Sequence, residues 1–335
     1  RMTAPLTDET DRVAVALCID RAFLRHALVT VASLLDARPS LPVDVHIFHA
    51  ETDPACMARI AALFDGQDRH FCHFQKISLD RFEGFPVSDA ISAGTYARLL
   101  LPYLMPRREK VLYLDADLIV LGDIAPLWRL DLRDHAAAAI RDPFCDNRAA
   151  IGFSPDEPYF NAGVLLMNLD AWRREGIAET VAGEIARLGP RLKYFDQDAL
   201  NLVLRGRILF ADPRWNFQPR MADATPQDLA CTPEAFRRIR ERPAIVHFTT
   251  PHKPWKDPFA IHYGSEYLAC LRRLDPDLRA RYFADVPQES SLRLAHLKTR
   301  LRWRFPQAYR AARGLSRILH RGPFPGAMPA GRHSA

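Results

Sequence analysis

The six cysteines of this 335-residue chain, Cys18, Cys56, Cys72, Cys145, Cys231 and Cys270, form no CxxC pair. Zinc-finger and thioredoxin-type chemistry need paired thiols, so neither is expected. Positions such as Cys18, inside an apolar run, read as buried thiols of a reducing compartment. No GxGxxG follows the first apolar run, which removes the phosphate cradle of a nicotinamide dinucleotide enzyme. No uncharged run approaches the ~18–20 residues of a spanning helix. The opening residues, Arg1-Met2-Thr3-Ala4-Pro5, lack the apolar stretch of a secretory signal, so a cytoplasmic setting is expected. Internal repeats are absent. Acidic residues are absent from 291 to 335, where ten Lys or Arg occur. The whole chain holds 46 basic and 40 acidic residues, so residues 1–290 hold 36 and 40, a net of −4 against +10 for the tail. A mildly acidic body and a basic tail imply two kinds of partner.

What is present is a strand-and-helix alternation in a chain long enough for one large domain or two ordinary ones. Val13-Ala14-Val15-Ala16-Leu17-Cys18-Ile19 is a strand buried on both faces, ending at Asp20. The pattern predicts helices over 24–35 and 54–64 and strands over 43–48, 71–77 and 111–114. Residues 93–103 read as a helix and 136–140 as a strand rather than a helix. The stretch 142–158, without apolar periodicity, reads as a long loop of the length often used for lids. Strands follow over 163–169, 207–210 and 244–248. Asp170 is placed to cap the helix after the first of these, 197–204 reads as a helix, and helices continue from 263 to about 281. This alternation predicts a parallel, helix-covered sheet.

Asp115-Ala116-Asp117 stands at the carboxyl end of a buried strand, the edge where open α/β sheets bind ligands. Two carboxylates one residue apart on a turn can face one hard divalent cation. Taken alone, such a pair is more often a strand-end Asp plus a helix cap. His247 ends the run Ala244-Ile245-Val246 and is followed by Phe248-Thr249-Thr250-Pro251-His252-Lys253-Pro254-Trp255. A lone His there is usually a core residue. Joined to two carboxylates, an imidazole suits Mn²⁺ better than Mg²⁺ or Ca²⁺, and Lys253 is placed to neutralise phosphate. Asn161-Ala162-Gly163 alone is turn chemistry. Asp196-Gln197-Asp198 reads as helix capping or as hydroxyl recognition in a sugar site. Arg98, in Thr95-Tyr96-Ala97-Arg98, is either a surface charge or a sugar or carboxylate contact.

Five segments occur together and in order: Thr-Tyr-Ala-Arg-Leu (95–99), Lys-Val-Leu-Tyr-Leu-Asp-Ala-Asp (110–117), Phe-Asn-Ala-Gly-Val-Leu-Leu (160–166), Asp-Gln-Asp-Ala-Leu-Asn (196–201), and His247 with Lys-Pro-Trp (253–255). Through them, residues 13–255 resemble glycosyltransferase family 8, the retaining transferases. Within it the chain is most similar to bacterial lipooligosaccharide α-galactosyltransferases and lipopolysaccharide glucosyl/galactosyltransferases. The resemblance implies a GT-A fold, a Rossmann-like nucleotide-binding mixed sheet flanked by helices, with a UDP-sugar donor and Mn²⁺. By the same resemblance Asp115, Asp117 and His247 match metal ligands, and Lys253 a diphosphate contact. Asp20 matches the uracil contact, and Arg98, Asn161, Asp196 and Gln197 match donor-sugar residues. The sequence departs from the pattern after the first strand. Asp20-Arg21-Ala22-Phe23 stands where many members of the family have Asp-Asp-Asn-Tyr or a close variant, so Ala22 lacks an amide for the nucleotide while Phe23 keeps an aromatic face.

Retention at the anomeric carbon needs a covalent intermediate or same-face attack guided by the leaving phosphate. Gln197 matches the residue nearest the far face of that carbon. An amide is a poor nucleophile, so same-face attack is expected, with Asp196 orienting the sugar through its hydroxyls. The expected organisation is a catalytic domain over 1–280, a basic amphipathic region over 281–321 and a disordered tail over 322–335. In the basic region Leu294, Leu297 and Leu301 fit one helix face among Arg293, Lys298, Arg300 and Arg302. Such a face suits an anionic membrane surface, placing the enzyme at the inner face of the cytoplasmic membrane with a glycolipid acceptor. Nucleic acid is not an expected partner. The alternatives are a protein-linked or soluble acceptor, or a catalytically silent UDP-sugar-binding protein.

Overall fold

The computed structural model describes residues 12–51, 53–87, 93–250, 252–256 and 261–274, all within one compact unit inside residues 1–286. The basic region over 281–321 and the tail over 322–335 lie outside the described residues. The chain opens with β1 (Val13–Ile19), α1 (Leu24–Asp36), β2 (Val43–His49), α2 (Pro54–Ala62) and β3 (Phe71–Lys76). A short α3 (Leu101–Leu104), β4 (Lys110–Leu114), β5 (Leu118–Val120), α4 (Ala125–Trp128) and β6 (Ala137–Arg141) follow. The remainder is β7 (Phe160–Asn168), α5 (Leu169–Glu175), α6 (Ile177–Leu188), α7 (Phe195–Val203), β8 (Ile208–Phe210), α8 (Pro233–Glu241), β9 (Ile245–His247) and α9 (Gly264–Leu274).

Among the described residues seven strands form one sheet, in the order β3-β2-β1-β4-β7-β6-β8. The uninterrupted apolar run of β1 follows from its central place, with all seven residues buried. β3, β2, β1 and β4 are parallel, as the alternation predicts. β7 departs from that expectation and runs antiparallel to both β4 and β6. It is reached from β6 without a crossover helix, the connection common between antiparallel neighbours. The chain therefore builds outward from β1 to β3, then returns to place β4 on the other side of β1. The order reverses between β1 and β4, and a crevice opens there beyond the carboxyl ends of the strands.

Local chemistry sets most boundaries. Asp53 caps α2 by accepting from the Cys56 amide at 3.1 Å, with Pro54 at the first helical position. Asn168, not Asp170, caps α5, accepting from the Ala171 amide at 3.0 Å. Asp170 instead sits in the first turn. The helix expected over 93–103 is a 3₁₀ segment (Ala93–Leu100) and then α3. Pro102 explains the break, because inside an α-helix its ring would meet the carbonyl of Arg98. Asn161-Ala162-Gly163 is not a turn but lies within β7, where the register against β6 slips between Ala139 and Ile140. The loop over 142–158 is fastened down. Asp142, Cys145, Asn147, Ile151 and Phe153 are buried, and the Asn147 amide donates to Asp198 at 2.7 Å. No described helix is long and apolar enough to cross a membrane. All six cysteines are free thiols.

Candidate active site

The turn Asp115-Ala116-Asp117 links β4 to β5 at the order reversal, and three elements fix its shape. From α1, Thr30 Oγ1 lies 2.8 Å from the carbonyls of both Ala116 and Leu118. Ser33 Oγ accepts from the Val120 amide at 3.0 Å. On the far side β5 pairs antiparallel with β9, setting Leu118 opposite His247, and the Phe248 amide donates to the Asp117 carbonyl at 3.0 Å. This two-stranded ladder carries His247 across 130 positions of sequence to the carboxylates. Its Nε2 is 3.0 Å from Asp117 Oδ1 and 3.5 Å from Asp115 Oδ2. Among the described residues this is the one group of three His, Cys, Asp or Glu side chains whose ligand atoms converge, all within 4.8 Å.

The second bonds of these side chains decide what the convergence means. His247 Nδ1 lies 3.1 Å from Asn161 Oδ1 and 3.1 Å from Asn216 Oδ1. Asn161 Oδ1 also accepts from the Asn216 amide at 2.8 Å and from the Gly163 backbone at 3.0 Å, which assigns it as the oxygen. Facing oxygens, Nδ1 carries a proton, and a neutral imidazole then turns the Nε2 lone pair toward the two carboxylates. Three acceptors facing one another repel unless a cation or a proton lies among them. Two carboxylates and an imidazole form a donor set that a divalent ion such as Mn²⁺ accepts. Gly163 leaves the room: a Cβ there would lie 2.0 Å from His247 Cε1 and 2.6 Å from Asp115 Oδ2. On the outer side Lys253 Nζ reaches Asp117 Oδ2 at 2.6 Å and the Phe248 carbonyl at 2.6 Å. Burial opposes ionisation of Asp117, but the Lys253 ammonium beside it outweighs that and holds its carboxyl well below the usual range.

Arg98 joins this corner to a second one. Its guanidinium, buried over the Tyr113 ring at 4.4 Å, donates to Asp115 Oδ1 at 3.0 Å and to the Ala162 carbonyl at 2.6 Å. Nε stands 3.0 Å from Asp196 Oδ2. The Tyr113 hydroxyl donates to Asp115 Oδ1 at 2.6 Å. Burial pushes the Asp196 carboxyl up to about 6 despite the pull of Arg98, with the Asp115 charge adding to the rise. Gln197 Oε1 accepts from Asn161 Nδ2 and the Ala162 amide, each at 3.0 Å, and Gln197 Nε2 donates to the Tyr159 hydroxyl at 3.2 Å. Tyr159 in turn donates to Asp198 at 2.7 Å. Neither carboxylate is the cap of α7, which starts after Tyr194: Asp198, inside the helix, reaches back to accept from the Tyr194 amide at 2.9 Å, and Asp196 is bound to Arg98. Phe195 adopts φ 43°, a strained value for a residue with a side chain, at the point where α7 starts and aims Asp196 inward.

The fold thus assembles Arg98, Asp115, Asp117, Asn161, Asp196, Gln197, His247 and Lys253 into one connected network. Asp20 stands apart: at the carboxyl end of β1 its carboxylate accepts from the Phe23 amide at 3.0 Å and shares no hydrogen bond with the network among the described residues. Sequence reasoning passed over Tyr113, inside an apolar run, and Asn216, Tyr159, Thr30 and Ser33. Gly163 carried a signal that was available, since a glycine inside a strand pattern marks a close approach.

The model of the family described as glycosyl transferase family 8 matches residues 14–258. This chain belongs to glycosyltransferase family 8. Among its relatives a putative glycosyltransferase of Haemophilus influenzae is 35% identical over 181 residues, 52% of each chain. The match thus spans about half the length of that relative. The lipopolysaccharide 1,2-glucosyltransferase of Escherichia coli is 26% identical over 262 residues, covering 76% of this chain and 75% of that one. The galactosyltransferase LgtC, crystallised with donor and acceptor sugar analogues, superposes with a TM-score of 0.65 at 29% identity, covering 84% of this chain and all of LgtC. An active-site glutamine-to-glutamate mutant of LgtC gives a TM-score of 0.68 at 28% identity. The family 8 chain has the GT-A fold of these neighbours, a mixed sheet flanked by helices.

Proposed function

We propose that the chain is a retaining hexosyltransferase that moves galactose or glucose from a UDP-sugar, with Mn²⁺, to a glycan acceptor of the lipopolysaccharide or lipooligosaccharide core. The observation that carries this reading is the convergence of Asp117 Oδ1, Asp115 Oδ2 and His247 Nε2 beside the Lys253 ammonium at the order reversal of the sheet. Asp115, Asp117 and His247 would hold the ion, and Lys253 would bind the diphosphate. A divalent cation there supplies electrostatic stabilisation of the charge that develops on a diphosphate leaving group. Asp20 at the end of β1 would contact the uracil, with Phe23 beside it for stacking. Arg98, Asn161 and Asp196 would orient the hexose.

Same-face attack fits these side chains better than a covalent adduct. Asp196 is 3% exposed and committed to Arg98, and the Gln197 amide is held by three partners. Neither is free to swing onto a carbon. The fixed Gln197 dipole is placed to support positive charge on the anomeric carbon as the C–O bond breaks. That an active-site glutamine was changed in LgtC supports this role. The acceptor class rests on relatives named for lipopolysaccharide glucosyl and galactosyl transfer. The basic region over 281–321 would hold the enzyme against an anionic membrane where such an acceptor lies.

The test is UDP release from a panel of UDP-sugars, with Mn²⁺ and with a chelator. Turnover of UDP-galactose or UDP-glucose that stops on chelation is the expected result. Metal-independent turnover, or none with any hexose donor, overturns the reading. Mass spectrometry that trapped a hexosyl adduct on Asp196 or Gln197 would instead overturn same-face attack.

A further inference from the structure

Lys253 sits on a short segment after β9, and its ammonium is useful only if the segment is held. The contacts that hold it come from the opposite ends of the chain. The indole of Trp255 stacks on the imidazole of His26 in α1, with centroids 3.6 Å apart and planes at 22°. His26 Nδ1 lies 3.1 Å from the Tyr267 hydroxyl in α9, and Arg25 Nε donates to His26 Nε2 at 3.3 Å. With Nε2 accepting, Nδ1 carries the proton and donates to Tyr267, so the ring cannot turn out of the stack. The Tyr267 ring packs against Trp255 at 5.7 Å and meets Phe248 edge-on at 5.6 Å. His26, Tyr267 and Phe248 are buried. Burial pushes the His26 imidazole down to about 3, so near neutral pH it adds no charge to oppose Lys253. The Lys253 ammonium itself lies 5.6 Å from the Trp255 ring centroid.

An imidazole locked by two hydrogen bonds is a more elaborate support than a core helix needs. Leu or Phe would fill the space without a buried polar group to satisfy. What the imidazole adds is a fixed plane, and Trp255 lies on it two residues from Lys253. We propose that His26, Trp255 and Tyr267 form a clamp that positions Lys253 for the diphosphate of the donor. They are positioning residues, acting through Lys253. The proposal rests on the reading of Lys253 as the diphosphate contact, and the experiment separates the two.

The experiment measures UDP binding by calorimetry with Mn²⁺, and KM and kcat for the UDP-sugar, in the full chain. The variants are Trp255→Ala, Trp255→Phe, Tyr267→Phe and Lys253→Ala. Trp255→Ala should weaken UDP binding and raise the donor KM about five- to tenfold, the effect of a lost aromatic stack, with kcat within about twofold. Trp255→Phe keeps a ring on His26 and should return both to within about twofold of the parent. Tyr267→Phe frees the imidazole and should fall between them. Lys253→Ala should weaken UDP binding at least as much as Trp255→Ala. If Lys253→Ala binds UDP like the parent, the reading of Lys253 fails and takes the clamp with it. If Lys253→Ala binds weakly and Trp255→Ala normally, the clamp alone is overturned. It is equally overturned if Trp255→Ala lowers kcat at unchanged KM, or if Trp255→Phe is as impaired as Trp255→Ala.

Discussion

At the Arg98–Asp196 corner every guanidinium nitrogen meets an oxygen: Nε the Asp196 carboxylate, Nη1 the Ala162 carbonyl, Nη2 Thr95 and Asp115. At the Asp115–Asp117–His247 corner three lone-pair atoms point at each other, and the bonded cations, Lys253 on Asp117 and Arg98 on Asp115, hold other carboxylate oxygens from the outside. The two corners share Asp115, lie on the same sheet edge and are both largely buried, yet their electrostatics are opposite. In the first, every guanidinium nitrogen is satisfied without a ligand. The second leaves three acceptors facing one another until a cation or a proton lies among them. Mutations should divide accordingly: the larger stability loss should fall at the first corner, and the larger loss of metal-dependent activity without unfolding at the second.

Asp117→Ala tests the second corner most severely. It should lower Mn²⁺-dependent UDP release about a thousandfold or more, roughly 4 kcal/mol of barrier, with the unfolding midpoint close to the parent's. Substantial residual turnover would erase the contrast. Arg98→Ala tests the first corner. It strands Asp196 in a buried site and should cost about 3–4 kcal/mol of unfolding free energy in urea titrations. Adding Asp196→Asn should restore part of that loss, because the stranded charge is gone.

Gly163→Ala falls between the corners. Its Cβ would drive into the His247 ring, so a stability loss of about 2 kcal/mol should accompany weaker metal activation. Asn216→Ala is gentler. It removes one of the two amides that hold His247 Nδ1 and should shift the Mn²⁺ activation midpoint upward about tenfold. If it changes stability alone, His247 is a scaffold residue and the two corners are alike.

The smallest effect concerns pH and the clamp. The folded chain keeps His26 neutral down to about 3, while the unfolded chain takes up a proton near the ordinary imidazole value of about 6.5. Stability from His26 is therefore present above about 6.5 and is lost as pH falls toward 3. Burial also lowers His46, His49 and His70, so the parent chain loses stability in the same direction through more than one site. His26→Phe should make the decline between pH 7 and 5 shallower in urea midpoints, and an unchanged slope would mean that His26 takes up its proton in both states.

The strands and most helices were legible because they announce themselves locally. The seven apolar residues of β1 read as a strand buried on both faces, and the apolar spacing after Pro54 as a helix. The errors fall where a local signal was outvoted. Asn161-Ala162-Gly163 looks like a turn by composition, but β4 and β6 on either side draw it into β7, and only the register slip records the conflict. Asp170 is a good cap residue, yet Asn168 was already in place two positions earlier. Residues 93–103 have helical spacing, and a single proline converts most of that stretch to 3₁₀.

The sequence by itself determined the candidates for the chemistry: Asp115 and Asp117 at a strand end, His247 at another, and the Asp196-Gln197 pair at a helix start. Each motif alone favours a structural role, and it is the order of the five segments along the chain that singles these residues out. Only the tertiary structure decided what surrounds them. The β5–β9 ladder brings His247 to the carboxylates, Asn216 and Asn161 orient its ring, Gly163 leaves it room, and the Tyr267 hydroxyl holds His26 across 241 positions of sequence. These residues carry no local signature because their energy lies in a partner far along the chain. An asparagine, a glycine or a buried histidine acquires its role only when folding sets that partner within about 3 Å of a hydrogen-bonding or van der Waals contact.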